Sequence, residues 1–395
     1  AFVYLAETIK EKVKVPVITC NRINDPGLAD EIIRQGKADF VAMGRAFIAD
    51  PHLPRKAFEG GFTDINTCVG CNQGCLDNIF SGNPNACLVN PEAGRERELA
   101  VKAAPRSKKV LVIGGGPAGL EAARVAAARG HAVSLYEKTN CLGGQLNLAA
   151  VIPGKGEFAG LVRNLSYQAI NQGVNIVLGK EVTSGLVESL RPDTVIVATG
   201  SSPTLPEIPG IQGANVVHAN DVLSGKVEVG RRVVVIGARG TGCDVSLFIA
   251  KRGAATAEAA LFLTRAGTLE ATRTLPTAAK SMQVTLMRRT GRIADDLGRS
   301  VRWIVLQELN DAGVRTIAGL EYEEINEQGV VIRKDGLSQL IEADTVVIAT
   351  GREPVADLFA ALGEKVPELH LIGDAKQVRD ALAAIYEGAI AGRAV

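Results

Sequence analysis

Four of the seven cysteines crowd between residues 68 and 87. Cys68-Val69-Gly70-Cys71-Asn72-Gln73-Gly74-Cys75 comes first, and Cys87 follows within Asn85-Ala86-Cys87-Leu88-Val89-Asn90-Pro91. Cysteines crowded in this way are metal ligands more often than disulfide partners. Three thiolates within eight residues reach three corners of a cubane only if the backbone loops tightly, and Gly70 and Gly74 permit that. The fourth arrives on a returning loop with Pro91 close behind, as around many iron–sulfur clusters. Zinc is the rival, since four thiolates also make a structural zinc site. Zinc ribbons usually bring paired Cys-x-x-Cys halves. Three plus one fits a [4Fe–4S] cluster better, with Cys68, Cys71, Cys75 and Cys87 as candidate ligands. Cys20, Cys141 and Cys243 read as plain loop or buried thiols.

A second chemistry-bearing constellation begins at Val110. The run Val110-Leu111-Val112-Ile113 leads into Gly114-Gly115-Gly116-Pro117-Ala118-Gly119, a helix over 120–129, and a second strand ending at Glu137. This is the G-x-G-x-x-G fingerprint in its full strand–turn–helix context. Gly114 makes the turn, Gly116 lets a pyrophosphate approach, and Gly119 lets the helix pack on the strand. Glu137 stands where a carboxylate would hold the adenosine ribose hydroxyls. Gly143-Gly144-Gln145 follows, where the backbone can run close to a flavin.

The fingerprint has a partner downstream. Arg232–Ile236 leads into Gly237-Ala238-Arg239-Gly240-Thr241-Gly242, which departs from the pattern because Arg239 replaces the middle glycine. A side chain there would crowd a pyrophosphate unless it swings away and pairs with it. Arg288 and Arg289 follow the next strand and suit either a ribose 2′-phosphate, favouring NADPH over NADH, or solvated surface charge. Two strands end alike in Ala-Thr-Gly, at residues 194–200 and 345–351. Leu369–Asp374 then supplies a last strand with Gly373 and Asp374, and a helix near Ala381 should aim its N-terminal dipole at a flavin pyrimidine. Two dinucleotide folds, one inserted into the other, suit an enzyme that holds both FAD and a nicotinamide.

Ahead of the cysteines, the pattern predicts helices over 2–13 and 26–35 and strands over 15–19 and 39–43. Helix and strand alternate as in a parallel α/β fold. Two such units cannot close a barrel, which needs eight. The segment is therefore expected to belong to a longer protein or to be completed by another chain. Arg22 follows the first strand, and Gly44-Arg45 the second. The C-terminal ends of late barrel strands commonly cradle a phosphate, so these residues suit a phosphate monoester such as that of FMN. Surface salt bridges are the alternative.

Composition narrows the classes. A length of 395 residues suggests two or three domains. Lys+Arg and Asp+Glu nearly cancel, 44 against 43, which argues against a nucleic-acid or acidic-membrane partner. There is no apolar run long enough for a transmembrane helix and no visible signal peptide, so a cytoplasmic oxidoreductase is expected. The fold class expected is α/β. Residues 1–60 would be the last strands and helices of a TIM barrel, and 61–104 the [4Fe–4S] segment. Residues 105–228 with 342–395 would be a Rossmann-like FAD domain, and 229–341 an inserted NAD(P)H domain.

Asn21-Arg22-Ile23-Asn24-Asp25-Pro26, the stretch from Asn66 to Phe80, and the module after it together resemble the bacterial 2,4-dienoyl-CoA reductases. More broadly they are similar to the iron–sulfur branch of the Old Yellow Enzyme family, which includes 2-enoate reductases and trimethylamine dehydrogenase. The resemblance implies an FMN-holding TIM barrel, a [4Fe–4S] cluster beside it, and an FAD domain with an NADPH-binding insertion. It implies that the four cysteines ligate the cluster and that Arg22, Gly44 and Arg45 contact the FMN phosphate. The implied reaction carries electrons from NAD(P)H through FAD and the cluster to FMN, for reduction of an acyl-CoA-class double bond. The family's barrel-borne tyrosine and histidine would lie upstream of Ala1, so no catalytic residue is expected in this chain. An amine-dehydrogenase-like relative, whose nucleotide domains are only a scaffold, is the alternative that Arg239 favours.

Overall fold

The computed structural model describes residues 2–252 and 282–395, and they divide into two compact units. The first comprises 1–147, 157–201 and 353–395, and the second 148–156 and 202–352.

The first unit opens with the helix Val3–Lys10 and two strands, Ile18–Thr19 and Phe40–Val41, paired in parallel around the helix Pro26–Arg34. Asp25 caps that helix by accepting from the Leu28 N–H at 2.7 Å. The strands are shorter than the 15–19 and 39–43 expected, because only Ile18 with Phe40 and Thr19 with Val41 are in register. Ile18 and Phe40 lie exposed.

The main sheet of this unit is five-stranded and parallel. Its order is Glu368–Leu371, Thr194–Val197, Lys109–Ile113, Ala132–Tyr136 and Asn175–Val177. Val110–Ile113 and Thr194–Val197 are buried throughout, as strands covered on both faces must be. The alanine-rich helix Pro117–Ala128 packs on the sheet, and the helix Ala381–Ala394 packs on it in turn. The two helices meet at backbone distance. A methyl group on Gly388 would overlap the Ala118 carbonyl, and one on Gly392 would lie 2.7 Å from the Ala122 carbonyl.

The cysteine-bearing segment contains one regular helix, Leu76–Phe80, and side chains tie the rest down. Asn164 donates to the Thr63 and Ile65 carbonyls at 3.1 Å each, and Gln168 donates to the Asp64 carbonyl and Asn66 Oδ1. Buried Asp50 accepts from the Asn66 N–H at 2.9 Å and from Lys56 at 2.8 Å.

The second unit is built on a parallel sheet of Arg315–Ala318, Gln283–Arg288, Arg232–Ile236, Thr345–Ile348 and Val216–His218. An antiparallel sheet of Glu321–Asn326, Gly329–Lys334 and Leu337–Glu342 accompanies it. This unit reaches beyond the expected 229–341 on both sides. The physical reason is strand pairing: Thr345–Ile348 lies between Arg232–Ile236 and Val216–His218, so neither flanking strand joins the first sheet. The unit also takes in Leu148–Gly156, whose Ile152 is buried in its core and whose Lys155 pairs with Asp244 at 2.6 Å. Burial raises the Asp244 carboxyl above its usual range, and Lys155 opposes that.

Glu368, at the edge of the first sheet, accepts from Lys108 at 2.7 Å, Thr194 at 2.8 Å and His370 at 2.9 Å. Burial alone would raise its carboxyl, but these three hydrogen bonds outweigh it and hold it at about 2. A depressed carboxyl adds stability that is complete above its unfolded value of about 4.3. That contribution is lost as pH falls towards 2. Glu368→Gln should therefore cost about 1 kcal/mol at pH 7, after discounting for partial exposure. In urea titrations the gap between the two proteins should begin to narrow below about pH 4 and close only at about pH 2 or lower; a gap unchanged at low pH would refute the linkage.

Candidate functional site

All four clustered cysteines line one cavity, together with Ile48, Val69, Leu88 and Val89. The turn that gathers three of them uses left-handed backbone at Gly70 (φ 67°) and Asn72 (φ 61°). The Ala86 N–H donates to the Gly74 carbonyl at 2.7 Å, drawing the Cys87 loop against Gly74, where a methyl group would lie 2.6 Å from the Ala86 oxygen. Burial, helped by the neighbouring thiols of the group, pushes the Cys71 thiol up to about 12 and the Cys87 thiol to about 11. Thiolates bind metals and thiols do not, so these groups would ligate only if a cation made their ionisation favourable. Among the described residues, no three His, Cys, Asp or Glu side chains converge tightly enough to hold a single ion. A cubane spreads its thiolates over four irons, and a four-thiol apolar cavity fits that donor set.

A second cavity of about 280 Å³ adjoins the first. It is lined by Cys20–Asn24 and Ala42–Ala46. Cys68 and Arg45 line both cavities. Arg22 sits in the left-handed region (φ 57°), as does Asn21 before it (φ 83°). Its guanidinium pairs with Glu157 and lies against Gly70, leaving no room there for a Cβ. Arg45 donates to Asn72 Oδ1 at 2.7 Å, within the cysteine turn. Asn24 donates to the Cys68 carbonyl at 2.9 Å. Gly44 begins the short helix Gly44–Ala49 on the cavity wall, with open space around its α-carbon. Arg22, Gly44 and Arg45 therefore share one cavity. The sequence reading missed Asn24, Asn72 and Glu157.

In the first fingerprint, a methyl on Gly114 or Gly119 would overlap the Ala198 or Gly114 carbonyl respectively. Gly116 has nothing within 4 Å of that position, leaving the approach a pyrophosphate needs. Buried Glu137 accepts from the Gly115 N–H at 2.7 Å and from the Thr139 N–H and hydroxyl at 2.8 Å each. Gly144 (φ 53°) brings the following loop against Gly116, with 3.2 Å between its Cβ position and the Gly116 α-carbon. The Gln145 amide donates to Asp374 at 3.1 Å and to Ser201 Oγ at 3.2 Å. Gly373 donates its N–H to Glu387 at 2.8 Å. The helix Ala381–Ala394 starts where expected, and Asp380 caps its Ala383 N–H at 2.9 Å. The cradle and its glycines fit a dinucleotide such as FAD.

The second fingerprint folds as a turn too, with a methyl on Gly242 overlapping the Gly237 carbonyl. Arg239 is exposed at the N-cap of the helix Gly240–Ala250. Arg288 turns inward, donating to the Arg292 carbonyl at 2.8 Å and to Asp295 at 2.6 Å. That leaves Arg289, exposed with its guanidinium 5.8 Å over the Tyr322 ring, as the member of the pair that faces solvent. Cys243 is buried, and that burial lifts its thiol to about 12, in keeping with a packing role.

Residues 108–386 match the family model of the pyridine nucleotide-disulphide oxidoreductases, and residues 3–63 that of the NADH:flavin oxidoreductase / NADH oxidase family. The chain is 40% identical over 394 residues to a metal reductase of Desulforamulus reducens, covering 98% of this chain and 59% of that protein. It is 39% identical over 394 residues to an NADH oxidase of Thermoanaerobacter brockii, covering 98% of this chain and 56% of the relative. A solved 2-naphthoyl-CoA reductase in complex with 2-naphthoyl-CoA matches it with a TM-score of 0.90 at 32% identity, over 100% of this chain and 56% of that one. The chain thus spans little more than half the length of these relatives. No described helix is long and apolar enough to cross a membrane.

Proposed function

This chain belongs to the pyridine nucleotide-disulphide oxidoreductase family, and on that premise we propose that it is the electron-input portion of an NAD(P)H-dependent flavin and iron–sulfur oxidoreductase. In the complete protein the electrons would reduce a conjugated carbon–carbon double bond, with an enoyl-CoA as the substrate class. The observation that carries this reading is the shared wall between the two cavities. Cys68 and Arg45 belong to the four-thiol cavity and to the cavity that suits an FMN phosphate.

FAD would supply the exchange between two-electron hydride chemistry and single-electron steps, and the cluster a one-electron relay. The chain's own residues bind and orient. Cys68, Cys71, Cys75 and Cys87 would ligate the cluster, while Arg22, Gly44 and Arg45 would face the FMN phosphate. Gly114, Gly116 and Gly119 would cradle the FAD pyrophosphate, and Glu137 would accept from the adenosine ribose. Gln145, Gly373 and Asp374 would border the flavin end. Gly237, Gly242 and Arg289 would serve the nicotinamide nucleotide.

The test is anaerobic. NADH or NADPH added to the FAD-loaded chain should bleach the flavin's visible absorbance, while the chain alone should leave a dienoyl-CoA unreduced. No bleaching with either nucleotide would overturn the reductase reading. The scaffold reading is favoured by one observation, a carboxylate seated on the second fingerprint's helix (Asp296 on Gly240). It predicts ADP, not FAD, on extraction of the purified protein.

A further inference from the structure

The two cradles are built alike, and the loop after the strand paired with each fingerprint strand, Ala132–Tyr136 in the first unit and Gln283–Arg288 in the second, treats its cradle differently. In the first unit that loop returns to the fingerprint through the Gly143 N–H, which donates to the Gly115 carbonyl at 2.8 Å. Gly144 then passes Gly116 with no side chain to intrude. In the second unit the same bond recurs, with the Ala294 N–H donating to the Ala238 carbonyl at 2.8 Å. Here the residues that follow carry side chains. The Asp296 carboxylate accepts from the Gly240 N–H at 3.1 and 3.0 Å through its two oxygens. Leu297 lies 3.3 Å from where a Gly240 Cβ would sit.

The turn is held firmly in place. Ala294 is fully buried in the left-handed region (φ 56°), a conformation a non-glycine residue keeps only when its surroundings impose it. Arg288 ties Arg292 and Asp295 together, and Arg302 donates to the Ile293 carbonyl at 3.0 Å. Gly240 opens an eleven-residue helix, so its N–H is one of the unpaired amides that hold the pyrophosphate in a dinucleotide fold. One carboxylate and one pyrophosphate cannot occupy that place together.

We propose that Asp296 is an internal competitor for the pyrophosphate of the nicotinamide nucleotide, and that it sets the affinity of the second unit. This rests on the reading that the second unit takes NAD(P)H. Nucleotide enters when the exposed Asp296 side chain swings away from the Gly240 N–H while the turn stays in place, and Arg239, exposed on the same helix end, then offers the phosphate its charge. The residue acts through like-charge exclusion: it weakens ligands that carry phosphates and leaves a bare nucleoside unaffected.

Isothermal titration of the full chain, loaded with FAD so that the first cradle is filled, tests this with NADH, NADPH, ADP and adenosine. Asp296→Asn removes the charge and keeps the shape, and Asp296→Gly removes the side chain altogether. Both variants should bind NADH, NADPH and ADP about fivefold more tightly, a gain in the range of a charge at a helix N-terminus. Adenosine should bind all three proteins alike. Unchanged affinity for the phosphorylated ligands, with NADH still binding the wild type, would sink this proposal alone. Equal tightening for adenosine would also sink it, because it would report a loosened turn. If neither wild type nor variants bind any nucleotide, the nicotinamide reading falls and this proposal falls with it.

Discussion

Cys71→Ser should strip the chain of iron and sulfide, lowering iron from about four per chain to background in elemental analysis of anaerobic material. The Cys71 thiol is buried and pushed to about 12, and only a cation in the cavity makes its ionisation favourable. A serine hydroxyl ionises still less readily and is a poorer ligand to iron. FAD content should survive, because the first fingerprint stands on Lys109–Ile113 and Pro117–Ala128, away from the cysteine turn in sequence. Cys20→Ser, on the wall of the neighbouring cavity, should leave iron unchanged. Full iron retained by Cys71→Ser would remove Cys71 from the ligand set. One zinc per chain in the wild type would remove the cluster altogether.

The second large effect falls on Gly119. Its hydrogen faces the Gly114 carbonyl with no space for a carbon, so Gly119→Val must push the helix Pro117–Ala128 off the strand Lys109–Ile113. Overpacking at such a contact costs about 3 kcal/mol. The same shift spoils the cradle, so flavin content should fall to near zero together with urea resistance. Gly116→Ala separates the two effects. Open space surrounds that position, so a methyl group should leave the folded chain about as stable while blocking the approach of the pyrophosphate. A Gly119→Val protein with wild-type stability and full flavin would refute the close-contact account.

The parts of the site legible in the sequence were those that only one residue type can supply. Gly114 and Gly119 are forced by backbone contacts that admit no Cβ, so their spacing was informative without coordinates. The grouping of Cys68, Cys71, Cys75 and Cys87 was legible from their spacing, and the four line one cavity. The contacts that organise the site around them were not. Arg22 reads equally well as a surface charge, and its partner Glu157 lies 135 positions away. Asn72 looks like loop filler until Arg45 donates to it. The Ala-Thr-Gly strands show where pattern runs out. Thr194–Val197 and Thr345–Ile348 are nearly identical in type and wholly buried, so nothing local says which sheet each joins. Pairing with Arg232–Ile236 decided it, and moved the second strand into the second unit. The α/β architecture itself followed from strand and helix periodicity, and it stands.

The excursion at Leu148–Gly156 bears on how the chain can be dissected. A gene fragment beginning at 202 and ending at 352 encloses every strand of the second sheet and still omits part of its interior. Without Lys155, the largely buried Asp244 carboxylate would lose the cation that offsets its burial and the neighbouring Asp296 and Glu308; without Ile152, a hole would open in the packing. Any excised nicotinamide-binding piece has to carry those nine residues, grafted on by a linker or supplied as a peptide.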